Sequence, residues 1–312
     1  TDKLITQLEM GNDGLDAINF AQSQGQNLFG TRGDLVDGGG LDYAGISPDT
    51  RLYRLYYQFQ PFPNLQVAVG PKLVPSDFVD RNRFANDSSK DFGSSFFINN
   101  PLIVQNQIDR LGGAGVALTW QARKLPLSIR ALYVASDAET PGTLPNGGGL
   151  FDDRWQGTLE ATYEFKKGLI ARFQYTTAQI NLTDIEAAGI NVEWAIDERG
   201  RFAVFGRFGV AEYSGFNQLL GRNLDLTPKT WALGVVVRNL WVPGTLAGFA
   251  MGQPFVEDDL GDGTQTNFEA FIQVFLNDRI SVTPAIMLVT NANNDDAVED
   301  IWQGTIRTVF SF

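Results

Sequence analysis

An alternation of apolar and polar side chains with a period of two recurs along almost the whole chain. Near the end of the sequence, Ile306, Thr308, Phe310 and Phe312 fall on one face of an extended segment, and Arg307 falls on the other. Successive side chains of a β-strand point to opposite faces, so this alternation predicts a strand. An apolar strand that ends in Phe is unusual for the terminus of a soluble domain.

Fourteen segments follow this pattern, and most have the roughly nine to eleven residues that a tilted strand needs to cross a bilayer. They are residues 3–10, 51–60, 65–70, 114–122, 127–135, 155–165, 169–178, 188–196, 201–211, 229–238, 245–252, 266–276, 279–289 and 300–312. Short connections alternate with long ones, which are residues 11–50, 71–113, 136–154, 179–187, 212–228, 253–265 and 290–299. Short turns on one side and long loops on the other are typical of an outer-membrane barrel. The sequence therefore predicts an all-β, transmembrane antiparallel β-barrel, with one domain over residues 1–312.

Composition narrows the function classes. The 312 residues carry a net charge of −12 and include neither Cys nor His. This excludes disulfides, Cys/His zinc sites, Ser-His-Asp triads and Cys-His dyads, and an acidic chain is a poor nucleic-acid binder. No P-loop or dinucleotide fingerprint is present, and no pair of acids stands out among 36 Asp and Glu. We therefore predict no enzyme, no catalytic residue and no cofactor. A soluble β protein, such as a lectin-like binder, is the main alternative fold, although its strands would usually be shorter.

The face opposite the apolar one would line the lumen of a barrel. The predicted pore-lining residues are Arg54, Tyr56, Arg130, Glu160, Glu164, Arg172, Glu193, Arg207, Arg238, Glu269 and Arg307. Charges of both signs on a water-filled wall hydrate and orient permeating solutes. The alternative is that these charges only pair across neighbouring strands.

The connection from residue 71 to 113 is unusually long for a compact protein and is therefore expected to be functional or disordered. It carries a run of charges, namely Asp77, Asp80, Arg81, Arg83, Asp87, Lys90 and Asp91, followed by a Phe-rich segment at residues 92–98. The aromatic residues favour packing over disorder. We predict a constriction loop that folds into the lumen; the alternative is an outward loop that packs on a neighbouring subunit.

Two further features have competing interpretations. Trp residues near strand ends would form an interfacial girdle on a barrel or pack inside a core; they are Trp120, Trp155, Trp194, Trp231, Trp241 and Trp302. Acidic groups at residues 257–259, 262, 295–296 and 299–300 could take a divalent cation, but none has EF-hand spacing. A solvated acidic surface is the preferred interpretation, and no metal site is predicted.

Three segments carry a resemblance to a known family. They are residues 3–12 (KLITQLEMGN), residues 92–102 (FGSSFFINNPL) and the terminal residues 306–312. The sequence resembles cyanobacterial outer-membrane porins of the OprB-like carbohydrate-porin family, which are often labelled iron-uptake porins. The resemblance implies a parent barrel of 16 strands, of which this chain supplies fourteen, with one hairpin before residue 3. It also implies a homotrimer in the lipopolysaccharide-containing outer membrane and an N-terminal surface-layer-homology domain that binds a peptidoglycan-linked polymer.

These observations together predict a porin for passive diffusion of small hydrophilic solutes, inorganic ions first and small sugars second. A sugar-selective channel, an iron-selective channel and a structural barrel that ties the outer membrane to the cell wall remain open alternatives.

Overall fold

The protein is built almost entirely from β-strands. A computed structural model describes residues 2–24, 35–142, 148–152, 154–165, 168–197 and 200–312. The strands are β1 Lys3–Glu9, β2 Arg51–Phe62, β3 Leu65–Leu73, β4 Gly113–Gln121, β5 Leu127–Ala135, β6 Trp155–Glu164, β7 Leu169–Ile180, β8 Thr183–Ala195, β9 Phe202–Asn217, β10 Arg222–Leu226, β11 Lys229–Arg238, β12 Leu246–Val256, β13 Thr266–Asn277, β14 Ile280–Thr290 and β15 Ile301–Phe310. The short helices are α1 Ala17–Ser23, α2 Ser95–Ile98 and α3 Asn106–Asp109, with 3-10 turns at Pro75–Asp77 and Ala292–Asn294.

All strands belong to one antiparallel sheet in which each pairs with the next along the chain. The exception is β10, which folds back on β9 as a hairpin extension, so that β9 pairs directly with β11. Among the described residues, no hydrogen-bonded pairing joins β1 to β15, so the sheet is not closed. The prediction of an all-β antiparallel fold with fourteen strands in its main path is confirmed. The fifteenth, β10, was missed because five residues are too short to establish a period.

The prediction of a long connection at residues 179–187 is wrong. β7 and β8 are joined by the tight turn Asn181-Leu182, whose residues have φ values of 53° and 65°. Positive φ at both central residues is the geometry of a type I′ hairpin turn, which matches the twist of the flanking strands. Asn favours this conformation, whereas Leu does not. Because the turn lacks the Gly that usually identifies a hairpin turn in a sequence, it was not predicted. The predicted long connection at residues 212–228 is likewise occupied largely by β9 and β10.

The two faces of the sheet differ in chemistry. Large apolar side chains project from the outer face and are exposed, including Leu118, Phe173, Phe208, Leu233 and Ile306. Three of the Trp residues that were assigned to strand ends, Trp120, Trp194 and Trp302, are exposed on the same face. An apolar belt of this extent is stable where lipid covers it, because apolar area in water is costly.

The inner face encloses two of the long connections. The N–H of Ala17, at the start of α1, donates to Gln303 Oε1 on β15 (2.9 Å), and Gln22 Nε2 donates to Gln265 Oε1 (3.3 Å). A segment between the first two strands thus contacts the last one, so the sheet curls around a common interior. Within the described part of the chain, no helix has the length and apolar character needed to cross a membrane.

Candidate functional site

The connection between β3 and β4, residues 74–112, lies against the inner face of the sheet; we call it the inner loop. It contains the turn Pro75–Asp77 and helices α2 and α3, and residues 91–98 are all buried. A covered loop must pair its backbone polar groups, and its own short helices leave many of them free. Side chains on the inner face of the sheet, which we call the wall, supply these partners.

Asp80 joins the inner loop to four adjacent strands. Its N–H donates to Glu160 Oε2 on β6 (2.8 Å). Its Oδ1 accepts from Gln174 Nε2 on β7 (2.9 Å) and Asn191 Nδ2 on β8 (2.7 Å). Its Oδ2 lies 3.1 Å from Arg207 Nε on β9. All five residues are buried, so these bonds form away from competing water.

Arg207 also binds the backbone of the inner loop. Its guanidinium donates to the carbonyl oxygens of Phe97 (2.7 Å), Ile98 (2.7 Å) and Ala85 (2.8 Å). The planar fork of donors suits several oxygens held in a fixed arrangement. Arg207 therefore orients α2 as well as balancing the charge of Asp80.

On the opposite side of the interior, Glu269 on β13 accepts the N–H groups of Gly93 (2.7 Å) and Ser94 (2.9 Å). Arg307 on β15 donates to the carbonyl oxygen of Asp91 (2.7 Å). These three bonds hold the loop just before α2. Together with Asp80 and Arg207, they bind the loop to strands on both sides of the enclosed space.

Two ion pairs share a pattern in which the acid is buried and the Arg reaches water. Arg83 Nε lies 2.6 Å from Glu193 Oε1, and the side chains are 45% and 0% exposed. Arg130 Nη1 lies 2.7 Å from Glu160 Oε1, with 25% and 0% exposed. Arg172, which is also buried, lies 3.4 Å from Glu193. The carboxylates therefore face the loop and the wall rather than solvent.

The first turn of the loop is bound from β2. Arg54 forms a forked pair with Asp77, with Nε to Oδ2 at 2.6 Å and Nη2 to Oδ1 at 2.7 Å. Its Nη1 donates to Gln7 Oε1 at 2.5 Å, and Tyr56 Oη donates to Asp77 Oδ2 at 3.4 Å. Bidentate Arg–carboxylate pairs are among the stronger hydrogen-bonded pairs in proteins.

Apolar packing fills much of the space around these bonds. Phe92 meets Phe271 and Phe205 of the wall edge to face, with ring centroids 4.9 and 5.5 Å apart. Edge-to-face contacts of this kind add to the stabilisation from burial. Farther along the loop, Leu102 and Ile103 belong to a second apolar cluster that includes wall residues of β4, β5, β7, β8 and β9.

Wall glycines make room for the inner loop. A Cβ at Gly189 would lie 2.7 Å from Ile103 Cγ1, and one at Gly209 would lie 2.9 Å from Asn100 Nδ2. Both contacts are too short for a larger residue without displacement of the loop. Small inner-face residues thus mark where the loop packs, a signal that is visible in the sequence only once the strand faces are known.

Beneath the loop, toward the short connections, lies an open cavity of about 720 Å³ that we call the vestibule. Residues 81–91 of the inner loop form one side, and the ends of β11 to β15 form the other. Its charged lining consists of Arg81, Arg83, Asp87, Lys90, Asp91 and Arg238. Glu164, by contrast, is exposed at the end of β6 and does not line this cavity.

A second inward segment was missed by the sequence analysis. The carbonyl oxygen of Gly38 accepts hydrogen bonds from Gln22, Gln265 and Asn267 (2.8, 2.7 and 2.8 Å). Residues 38–40 read Gly-Gly-Gly and lie within the long connection that was predicted at residues 11–50. Gly39 has a φ of 86°, and a Cβ there would lie 2.6 Å from Phe96 Cβ, so this backbone passes directly over α2.

Three acidic residues of the loops come together. Carboxylate oxygens of Asp262, Asp295 and Asp296 lie within 4.8 Å of one another, but these side chains are exposed or half-buried. Asp262 Oδ1 accepts the N–H of Asp296 at 3.1 Å, which joins the two loops that carry these residues. The geometry is that of a loop–loop contact at the surface.

Solved structures have a similar overall fold. OprB of Pseudomonas putida superposes with a TM-score of 0.67 at 13% identity, over 90% of this chain and 77% of that one. An anion-selective porin from Comamonas acidovorans superposes with a TM-score of 0.60 at 12% identity, over 88% of this chain and 82% of that one. A porin structure refined at 1.8 Å superposes with a TM-score of 0.60 at 13% identity, over 100% of this chain and 92% of that one. The fold is that of the outer-membrane porins.

Two curated relatives are cyanobacterial. The uncharacterized protein alr4550 of Nostoc is 27% identical over 243 residues, and the match covers 67% of this chain and 41% of the relative. The uncharacterized protein sll0772 of Synechocystis is 26% identical over 246 residues, and the match covers 65% of this chain and 44% of the relative. The chain thus spans less than half the length of the curated relatives it matches. No protein-family model matches it.

The buried carboxyl group of Asp91 predicts that the stability of the fold depends on pH. Burial raises the pKa of Asp91 to about 7, although the N–H groups of Asn86 and Asp87 partly offset this. Between pH 3.8 and about 7 the folded protein therefore binds a proton that the unfolded chain releases. The free energy of unfolding falls as pH rises through this interval, because the charged form is disfavoured only in the folded state.

Asp91→Asn should consequently raise the temperature at which the folded form is lost by a few degrees at pH 8 and change it little at pH 5. The amide retains an oxygen that can accept a loop N–H. Heat-modifiable mobility in SDS gels at the two pH values measures the effect. An equal shift at both pH values would show that the carboxyl is not the cause.

Proposed function

We propose that the chain forms an outer-membrane channel for passive diffusion of small hydrophilic solutes, inorganic ions before small sugars, with the inner loop as its constriction. The observation that carries this proposal is the set of bonds from the loop to β2, β6, β7, β8, β9, β13 and β15. A segment bound to strands all around the interior narrows the passage and keeps its width constant.

The chemistry of the interior supports a route for hydrated solutes. The wall and the inner loop present Arg, Asp, Glu, Asn and Gln to the enclosed space, whereas the outer face is apolar. Water-filled lumens of outer-membrane barrels have this polarity, with lipid outside and polar groups inside. Predicted wall residues that bind the loop, such as Arg207 and Glu269, would act by positioning the constriction rather than by touching solute.

The surroundings of the channel are part of the same proposal. The sequence resemblance and the two cyanobacterial relatives support a location in a cyanobacterial outer membrane. A homotrimer, and attachment to a peptidoglycan-linked polymer through a separate domain, rest on the resemblance alone. Cross-linking of the detergent-extracted protein would test the trimer.

The test of the channel is electrical. Protein extracted in detergent and shown to be folded by its heat-modifiable mobility is added to a planar bilayer in KCl. Discrete conductance steps are expected, and sugars or iron chelates added afterwards should reduce the current only if they enter the same passage. Silence from folded protein would contradict the channel and favour a structural barrel.

A further inference from the structure

We propose that the vestibule concentrates small inorganic anions, so that the channel conducts chloride in preference to potassium. This inference rests on the proposed function as a channel and adds a substrate class to it. The net charge of the chain, −12, would by itself favour cations. The arrangement of charges around the vestibule opposes that expectation.

The acidic half of the wall is withdrawn from water. Glu160, Glu193 and Glu269 are each at most 1% exposed, because their carboxylates bind the inner loop or pair with Arg. Asp80 is equally buried within the loop. Buried and paired carboxylates contribute little to the potential that a mobile ion meets in the cavity.

The basic residues of the vestibule remain accessible. Among the described residues, the hydrogen-bond acceptors of Arg81 are neutral oxygens, namely Asn86 Oδ1 at 3.1 Å and the carbonyl oxygen of Asp77 at 3.3 Å. Arg238 lies over the ring of Phe84, 5.6 Å from its centroid. Within the described part of the chain, neither guanidinium forms an ion pair within 4.0 Å, so both present uncompensated charge to the cavity.

The other charges of the vestibule largely offset one another. Lys90 pairs with Asp87 at 2.7 Å, and Arg83 pairs with Glu193. Asp91 is buried, and its raised pKa leaves it partly protonated near neutral pH. The unbalanced charge of the lining is therefore positive and comes mainly from Arg81 and Arg238.

Local charge decides selectivity because distant charges are screened. At 0.1 M salt the Debye length is about 10 Å, so acidic groups on the external loops act weakly inside the vestibule. A cavity with low-dielectric walls and one sign of charge raises the local concentration of the opposite ion. Anions should therefore be enriched at this entrance.

The experiment measures reversal potential across a tenfold KCl gradient, about 0.1 M at the dilute side, where screening is weakest. We expect wild-type channels to prefer chloride. The double variant Arg81→Gln, Arg238→Gln should lower the chloride-to-potassium permeability ratio by roughly twofold or more. Gln keeps the length and polarity of both exposed side chains, and heat-modifiable mobility verifies folding.

Arg222→Gln is the matched control, because Arg222 is exposed at the β9–β10 turn and does not line the vestibule. Its permeability ratio should equal that of the wild type. Channels that prefer potassium would overturn the inference while the proposed channel stands, and so would an anion preference that the double variant leaves unchanged. Absence of channels from folded protein would overturn both.

Discussion

Deletion of residues 84–100 is expected to raise the single-channel conductance roughly twofold or more, because ion flow grows with the open cross-section at the narrowest point. The deleted segment contains α2 and the aromatic residues Phe92, Phe96 and Phe97, all of them buried in the interior. Its removal would clear the space between β9 and β13, where the loop now packs.

The variant is expected to fold, because the strands on either side of the deletion keep their pairing. Arg207 loses its three carbonyl partners in the deleted segment but keeps Asp80, and Glu269 loses its two N–H partners. Both side chains gain water, so neither becomes an unpaired buried charge. Arg54–Asp77 and Arg83–Glu193 lie outside the deleted residues. Conductance in planar bilayers, compared at equal salt, provides the measurement.

A replacement of residues 84–100 by a Gly/Ser segment of equal length separates packing from chain length. If the packed loop sets the aperture, this variant should conduct more than the wild type, with noisier current, because a flexible segment does not hold one position. Unchanged conductance in the deletion variant would remove the constriction role.

The second large effect is expected from Asp80→Asn, which should destabilise the packed inner loop by about 3 kcal/mol. Every side-chain contact of Asp80 is a donor: Gln174 and Asn191 at Oδ1, and Arg207 and the N–H of Asn100 at Oδ2. In the Asn variant, an NH₂ group replaces one of these oxygens. Its hydrogens would then point at other hydrogen-bond donors, so the hydrogen bonds at that position are lost.

The substitution also leaves the buried guanidinium of Arg207 without its carboxylate. Removal of one partner of a buried pair is costly because the other charge remains out of water. The substitution does not add backbone strain that could itself destabilise the loop. Asp80 has a φ of 56°, and Asn tolerates this left-handed conformation at least as well as Asp.

Two measurements test whether the inner loop is less firmly packed in Asp80→Asn. Cleavage by trypsin at Lys90 should become faster, because a site within a packed segment must open before a protease binds it. The temperature of heat modification should fall at the same time. Asp225→Asn on β10 is the matched control, since Asp225 is exposed and away from the loop. Wild-type cleavage rates in Asp80→Asn would show that other contacts suffice to hold the loop.

The strands were predictable because their signal is local. Residues 127–135 and 229–238 were predicted with the same bounds that the structure has, since both segments alternate without interruption. Errors came where local signals were weak. The Asn181-Leu182 turn lacks Gly, and β10 has only five residues.

The site was only partly predictable. Alternation assigned Arg207 and Glu269 to the inner face, opposite the apolar belt, and both residues do project inward. Their partners were not predictable, because Arg207 binds residues about 110 positions earlier and Glu269 binds residues about 175 positions earlier. A period of two specifies a face, but it carries no information about which distant segment covers that face.

By itself the sequence determined the class of fold, since period-two alternation permits few structures other than strands with two unlike faces. It also determined which charges are available to the interior. The tertiary structure alone decided which of those charges meet water. It buries Glu160, Glu193 and Glu269 beneath the inner loop and leaves Arg81 and Arg238 exposed in the vestibule. The reason is that a carboxylate can accept the loop's backbone N–H groups, whereas a long Arg side chain can extend past the contact and keep its charge in water.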